Sequence, residues 1–198
     1  MLFRSASWLV VAGTLPGDTD EAIEAVESLI TQATAAGCKV ALDTSGPALM
    51  RLARAGLPDF IKPNAAELAE CVGRPIATIG DVIDAGTEIA GWGVESVVVS
   101  LGPDGIVGIN ADRAVHAWTL PLDVRNTIGA GDASVAGFLA HVANTPGDLE
   151  GAVAQAVTWG AQKVQQEGSQ LQHFDDPVEV TSTLTPHRDR RLTEPGVF

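Results

Sequence analysis

Cysteine is scarce here: 198 residues hold two, Cys38 and Cys71. A disulfide scaffold needs more, and neither sits in a Cys-x-x-Cys pair, so both read as small buried hydrophobes in a reducing cytosol. Basic residues are also few, 12 Lys and Arg against 25 Asp and Glu, for a formal net charge of -13. No run of Lys or Arg is present to track a phosphate backbone, which argues against nucleic-acid binding. A small anionic substrate stays open, because helix N-termini and a few local cations hold phosphate whatever the global charge. Long hydrophobic runs are missing: no stretch approaches the roughly 20 apolar residues of a membrane span, and no membrane association is expected. The apolar run Trp8–Ala12 behind Met1–Arg4 stops at Gly13-Thr14-Leu15-Pro16-Gly17. That is short of the about 7–15 apolar residues of a secretory signal, so no leader is expected and the cytoplasm is the expected compartment. There is no internal repeat, no low-complexity segment, no GxxxxGK[ST] phosphate loop and no histidine pair with metal-ligand spacing.

What is present is a globular composition, 45% hydrophobic and 19% charged, at a length that suits one domain. Apolar runs ending in turn residues alternate with helical periodicity. Trp8–Ala12, Cys38–Leu42, Phe60–Ile61 and Glu95–Leu101 read as strands. Gly105–Ile109 and Ala114–Trp118 read as a hairpin. Helices are expected from the Thr19 cap to Ala36, over Pro47–Ala55, Ala65–Val72, Ile79–Ala90, Ala130–Ala143 and Leu149–Gln166. Beyond about Asp175 the chain is polar and carries three prolines, which reads as a strand plus a loose tail. Such alternation predicts an α/β layered fold with a largely parallel sheet, whose ligands sit at the carboxyl ends of the strands. Gly13-Thr14, Asp43, Asn64, Ser100-Leu101-Gly102 and Gly129 all fall at such ends.

Three segments carry chemistry. Asn126-Thr127-Ile128-Gly129-Ala130-Gly131-Asp132 opens an apolar helix. Glycines at a helix start let backbone N–H groups converge on an anion, which suits a transferring phosphoryl group, and Asp132 is placed to accept a proton from an attacking hydroxyl. The plainer reading is a tight turn with Asp132 as a capping residue. Ser100-Leu101-Gly102-Pro103-Asp104-Gly105 ends the best strand; its glycines allow close approach of a nucleotide, and equally make an ordinary Pro-Asp-Gly turn. In Lys62-Pro63-Asn64-Ala65-Ala66-Glu67, Asn64 and Glu67 share one helix face and offer oxygen ligands to Mg²⁺ through water, or form a capping box. His116, His141, His173 and His187, with Trp92, Trp118 and Trp159, read as structural.

In this order the segments resemble the PfkB/ribokinase family of carbohydrate kinases, over about Trp8 to the chain end. The resemblance implies a ribokinase-like three-layer αβα sandwich and ATP-dependent phosphorylation of a sugar phosphate with Mg²⁺. It implies Asp132 as catalytic base, in contact with the sugar, and Gly129, Ala130 and Gly131 as an anion hole. It implies that Ser100, Leu101, Gly102, Gly105, Asn64, Thr127 and Gly131 border ATP, and that Asn64 and Glu67 organise the metal. Asp43-Thr44-Ser45-Gly46 looks like the segment whose acid joins the metal network. Within the family the 1-phosphofructokinases are the most similar: Ala12-Gly13-Thr14-Leu15-Pro16 resembles their Ser-Gly-Ser-Leu-Pro segment, with Ala12 in place of the first serine and Thr14 as the hydroxyl facing the sugar phosphate. Thr158-Trp159-Gly160-Ala161 and Leu192-Thr193-Glu194-Pro195 add a weaker likeness. Tagatose-6-phosphate kinases share most of these features.

Full-length members carry a preceding segment with sugar-binding residues, a Gly-Gly-x-x-x-Asn stretch and a small β lid that often forms a homodimer interface. The chain opens at a central strand, so the expected fold lacks the N-terminal strands and lid, with an exposed sheet edge and a weakened or purely nucleotide-binding site. A Rossmann oxidoreductase would need a glycine fingerprint in the first βα turn, and Gly13 to Asp18 supplies none.

Overall fold

The computed structural model describes residues 5–15, 19–174 and 177–197. Met1–Arg4 of the run weighed as a leader, Pro16 of the Thr14 segment and Asp175, where the polar tail begins, lie outside the described residues. In chain order the elements are β1 (Trp8–Ala12), α1 (Asp20–Ala35), β2 (Lys39–Asp43), α2 (Gly46–Arg54), β3 (Phe60–Ile61), α3 (Ala65–Val72) and β4 (Ile76–Thr78). There follow α4 (Ile79–Ala90), β5 (Ser96–Ser100), β6 (Ile106–Ile109), β7 (Ala114–Thr119), α5 (Ala130–Asn144), α6 (Leu149–Val164), β8 (Val180–Thr183) and β9 (Arg191–Gly196). A single 3-10 turn, Gly102–Asp104, separates β5 from β6.

Successive strand residues face opposite sides of a sheet, so an apolar run with no polar alternation demands cover on both faces. β2 and β5 meet that demand. Val40, Leu42, Val97 and Val99 join one buried cluster with residues of α1 to α4, while Ala41 and Val98 join a second with residues of α5 and α6. The result is the expected three-layer αβα sandwich. Each fully buried valine contributes roughly 1.5–3 kcal/mol. The second layer is close: a Cβ on Gly108 of β6 would stand 2.3 Å from Cγ2 of Val153, so α6 lies on the sheet only because glycine is there.

The main sheet has seven strands in the order β1-β2-β3-β5-β6-β7-β8. β1, β2, β3 and β5 run parallel, as the βα alternation predicts, and the pairs onward from β5 to β8 are antiparallel. The hairpin between β6 and β7 closes where the Asn110 side chain accepts from the N–H groups of Asp112 and Arg113, each at 3.0 Å. Local caps fix the helices. Thr19 accepts from Ala22 N at 3.2 Å, and Asn64 and Glu67 form a reciprocal capping box at 2.9 and 2.8 Å.

Two expectations need correction. The stretch beyond Asp175 is not loose: β8 extends the main sheet beside β7, and β9 pairs antiparallel with β4, a strand absent from the sequence reading. Both are short and mostly polar on an outer surface, so apolar periodicity does not mark them; Leu192 is buried. No described helix is long and apolar enough to cross a membrane. Trp118 stacks on His116 and Trp159 on Phe174, each with ring centroids 4.7 Å apart, consistent with packing roles.

Candidate active site

Four parallel strands bring their carboxyl ends to one edge, and hydrogen bonds lace the loops that follow. Gly13 N donates to Asp43 O at 2.9 Å and the Thr44 hydroxyl to Gly13 O at 2.7 Å. Lys62 N donates to Leu42 O at 3.2 Å, and Ser100 N to Pro63 O at 3.0 Å, so the loops after β1, β2, β3 and β5 form one surface.

The Lys62 side chain, almost wholly buried, sits on that surface with Nζ 3.2 Å from Asp43 Oδ1. The first turn of α5 lies directly over the pair. A Cβ added to Gly131 would be 3.3 Å from Lys62 Nζ and 3.8 Å from Asp43 Oδ2. Glycine therefore lets a helix N-terminus rest on an ion pair. Burial pushes the Asp43 carboxyl above its ordinary value; Lys62 opposes this and the nearby Asp132 carboxylate adds to it. Burial also pushes the Glu67 carboxyl up, against the Asn64 N–H and Lys62, with Asp43 and Glu70 reinforcing the rise.

α5 opens without a side-chain cap. Gly129 is left-handed at φ 84, and a Cβ there would meet the Ser169 carbonyl oxygen at 2.2 Å, so only glycine fits. Ala130 N donates to Thr127 O, and among the described residues nothing accepts from Gly131 N or Asp132 N. The orphan donors of a helix start and its positive dipole end thus face outward beside the exposed Asp132. Donors so placed suit the oxygens of an anion, and an exposed carboxylate beside them is chemically able to accept a proton.

The other expected residues divide. Thr14 is exposed one residue beyond Gly13, Asn64 is exposed in the loop after β3, and Thr127 is exposed in the segment that leads into α5. Ser100 ends β5 and forms an isolated parallel bridge with Asn64. Leu101 is 2% exposed and belongs to the core, leaving only its backbone to border a ligand. Gly102, at φ +56, lies against the Glu194 carboxylate. Gly105 has a packing reason of its own: a Cβ there would meet the Ala117 carbonyl oxygen at 2.1 Å. Asp104 holds the turn. Burial pushes its carboxyl up, but the Thr193 N–H at 2.6 Å and Arg190 at 2.9 Å overcome this and hold it below its ordinary value. His116 Nε2 shares a hydrogen bond with Asp104 O at 2.7 Å.

For a cation the donor set is sparse and acidic. No described cluster of three or more His, Cys, Asp or Glu is arranged to hold a metal by itself. Mg²⁺ commonly takes one or two carboxylates, water and substrate phosphates instead. Asp43 and Glu67, two carboxyls raised chiefly by burial with Lys62 as the cation beside both, fit that mode. Cavities of about 480 and 430 Å³ are lined by other residues, Arg125 and His173 in the first and Glu95 and Asn110 in the second. The site itself is an open surface at the strand ends.

Sequence reasoning passed over Lys62 and Lys163. Lys62 stood in a quoted motif at the end of an apolar strand, which was its only signal. Lys163 occupies a buried-face position of α6, three residues after Gly160, where the helical period calls for an apolar residue.

The pfkB family carbohydrate kinase pattern matches residues 1–175. The 1-phosphofructokinase of Rhodobacter capsulatus is 40% identical over 149 residues, 75% of this chain and 46% of that protein. The ATP-dependent 6-phosphofructokinase isozyme 2 of Escherichia coli K12 is 31% identical over 183 residues, 92% of this chain and 58% of that protein. The solved structure of phosphofructokinase-2 from Escherichia coli in complex with potassium superposes with a TM-score of 0.78 at 32% identity, over 86% of this chain and 55% of that one. The chain spans about half the length of the curated relatives it matches.

Proposed function

The chain belongs to the pfkB family of carbohydrate kinases, and from that premise we propose that it carries the phosphoryl-transfer half of an ATP-dependent sugar-phosphate kinase, with fructose 1-phosphate as acceptor and fructose 1,6-bisphosphate as product. The observation that carries this reading is the start of α5. Two backbone N–H groups without a described acceptor lie beside Asp132 and over the buried Lys62–Asp43 pair. The similarity to a 1-phosphofructokinase supports the acceptor.

In the proposed reaction the Asp132 carboxylate takes the proton of the acceptor hydroxyl. The freed oxygen bonds to the γ-phosphorus of ATP while the bond from that phosphorus to the β,γ-bridging oxygen breaks, and ADP leaves. A positioned base contributes roughly 10²–10⁴-fold. The N–H groups of Gly131 and Asp132 and the α5 dipole stabilise the charge on the transferred group, and a donor in such a place is worth about 10²–10³-fold. Lys62 adds a positive charge below the same turn. Thr14 offers its hydroxyl to the sugar phosphate, while Ser100, Gly102 and Asn64 border the nucleotide. Mg²⁺, when bound, would neutralise nucleotide phosphate charge, held through water by Asn64, Glu67 and Asp43. A cytosolic, homodimeric kinase is the setting this reading expects.

Release of ADP, followed through a coupled assay with Mg-ATP and each of fructose 1-phosphate, fructose 6-phosphate and tagatose 6-phosphate, tests it. Turnover is expected with fructose 1-phosphate and lost in Asp132→Asn. Binding of Mg-ATP without any sugar-dependent turnover would replace the catalytic reading by a nucleotide-binding one.

A further inference from the structure

Lys163 is among the largest fully buried side chains of the described residues, beside Phe60 and Phe138, with 0% of its surface exposed. Lysine is almost never buried so completely unless a carboxylate pairs with it. Among the described residues no carboxylate lies within ion-pair distance; Nζ donates to the backbone carbonyl of Asn126 at 3.2 Å. That carbonyl belongs to the loop that leads into α5. The Lys163 Cε would stand 3.6 Å from a Cβ on Gly129, so the side chain runs beneath the left-handed glycine that starts the helix.

The same loop is tied through Arg125 and Asn126 to the end of α6 and the residues after it. Arg125 N and Asn126 N both donate to Val164 O, at 2.7 and 3.1 Å. The Asn126 side chain donates to Glu167 O at 2.7 Å and accepts from Ile128 N at 2.9 Å. These neutral bonds already fix the loop's path, so a buried lysine is not required to hold it. Its desolvation is costly, and methionine would fill the same space without that cost. What lysine adds is a positive charge in a water-excluded place beneath Gly129, the residue that leads into the turn with the open N–H groups of Gly131 and Asp132, and charge there acts more strongly than at the surface.

We infer that Lys163 is a positioning residue for phosphate: from behind the Asn126–Gly129 loop its charge and its bond to Asn126 O set the loop for a terminal phosphoryl group. This rests on the kinase reading above. Its effect grows with the phosphate charge over α5, so it weighs on ATP more than on ADP. A lysine with only a packing role would affect both nucleotides alike.

Calorimetric titration of the purified chain with Mg-ATP and Mg-ADP separates the two. Lys163→Met keeps length and burial without charge, and Lys163→Gln keeps a donor for Asn126 O without charge; the second serves if the first does not fold, as checked by circular dichroism. The expected result is an ATP Kd raised roughly tenfold, the scale of one charge-assisted contact, with an ADP Kd changed less than about threefold. Equal changes for ATP and ADP, or none in a folded variant, would overturn this inference and leave the kinase reading standing. Absence of nucleotide binding by the unaltered chain would overturn both.

Discussion

The Gly102–Asp104 turn and the Thr127–Asp132 loop carry the same residue types, glycine and aspartate, yet their polar groups meet different fates. Asp104 is 4% exposed, with both carboxylate oxygens engaged by Arg190 and Thr193 and its carbonyl by His116. Asp132 is exposed, and the N–H groups of Gly131 and Asp132 have no described acceptor. The first region spends its polar groups on the fold. The second leaves two of its N–H groups and its carboxylate unengaged by the described fold. Glycine and aspartate in a turn thus carry no function by themselves; what separates the two is whether the rest of the chain, here β9 and the residues before it, comes back to satisfy them.

The largest expected effect is on chemistry at the open loop. Asp132→Asn should lower sugar-dependent turnover by roughly 10²–10⁴-fold, measured by ADP release. Thermal unfolding of the same variant should show stability changed by less than about 0.5 kcal/mol. The closed turn should behave the opposite way. Asp104→Ala removes a buried acceptor and strands Thr193 N and Arg190, a loss of about 2–3 kcal/mol, read as a fall in Tm of roughly 4–12 °C. A full loss of activity at unchanged Tm in Asp104→Ala would break the comparison. Gly129→Ala tests the joint between loop and fold: strain at φ 84 and the Ser169 carbonyl should together cost about 1–3 kcal/mol in urea unfolding.

pH sharpens the contrast, because Asp104 in the closed turn and the Asp43 and Glu67 carboxyls at the strand ends shift with opposite sign. The Asp104 carboxyl is held below its ordinary value, so its contribution is present above the unfolded value and disappears as pH falls through the folded one. Asp43 and Glu67 are pushed up by burial, so their contribution is present in acid and disappears as pH rises through their raised values. A profile of Tm against pH should therefore lose steepness on its acid limb in Asp104→Asn and above the ordinary carboxylate range in Asp43→Asn. Identical profiles for the two variants would contradict this. The smallest effect belongs to the Arg188–Asp84 pair, whose side chains are 51% and 63% exposed: Arg188→Ala should cost about 0–1 kcal/mol and leave nucleotide binding unchanged.

Much of this was legible where the determinants are local. The Asn64–Glu67 cap and Gly73 bound α3 at Ala65–Val72, the span the sequence predicts. β2 was displaced by one residue, because Cys38 and Lys39 differ only in which carbonyl they answer, Ala33 or Ser7. Non-local features were not legible. β4 is three residues long and pairs with a strand more than a hundred positions away. Lys62, Asp104 and Lys163 look like ordinary loop or helix residues until the fold buries them. The placement of Asp132 and of the glycines before it could be read, since a helix start with glycines is a local signal. What closes the other turn comes from the far end of the chain.

The most direct test of the open loop is a backbone amide spectrum of the ¹⁵N-labelled chain titrated with Mg²⁺ and a non-hydrolysable ATP analogue. The account predicts the largest shifts at Gly129, Gly131 and Asp132, with the amide of Thr193 behind Asp104 little changed. Saturable binding of the analogue that leaves the Gly131 and Asp132 amides unmoved would contradict it.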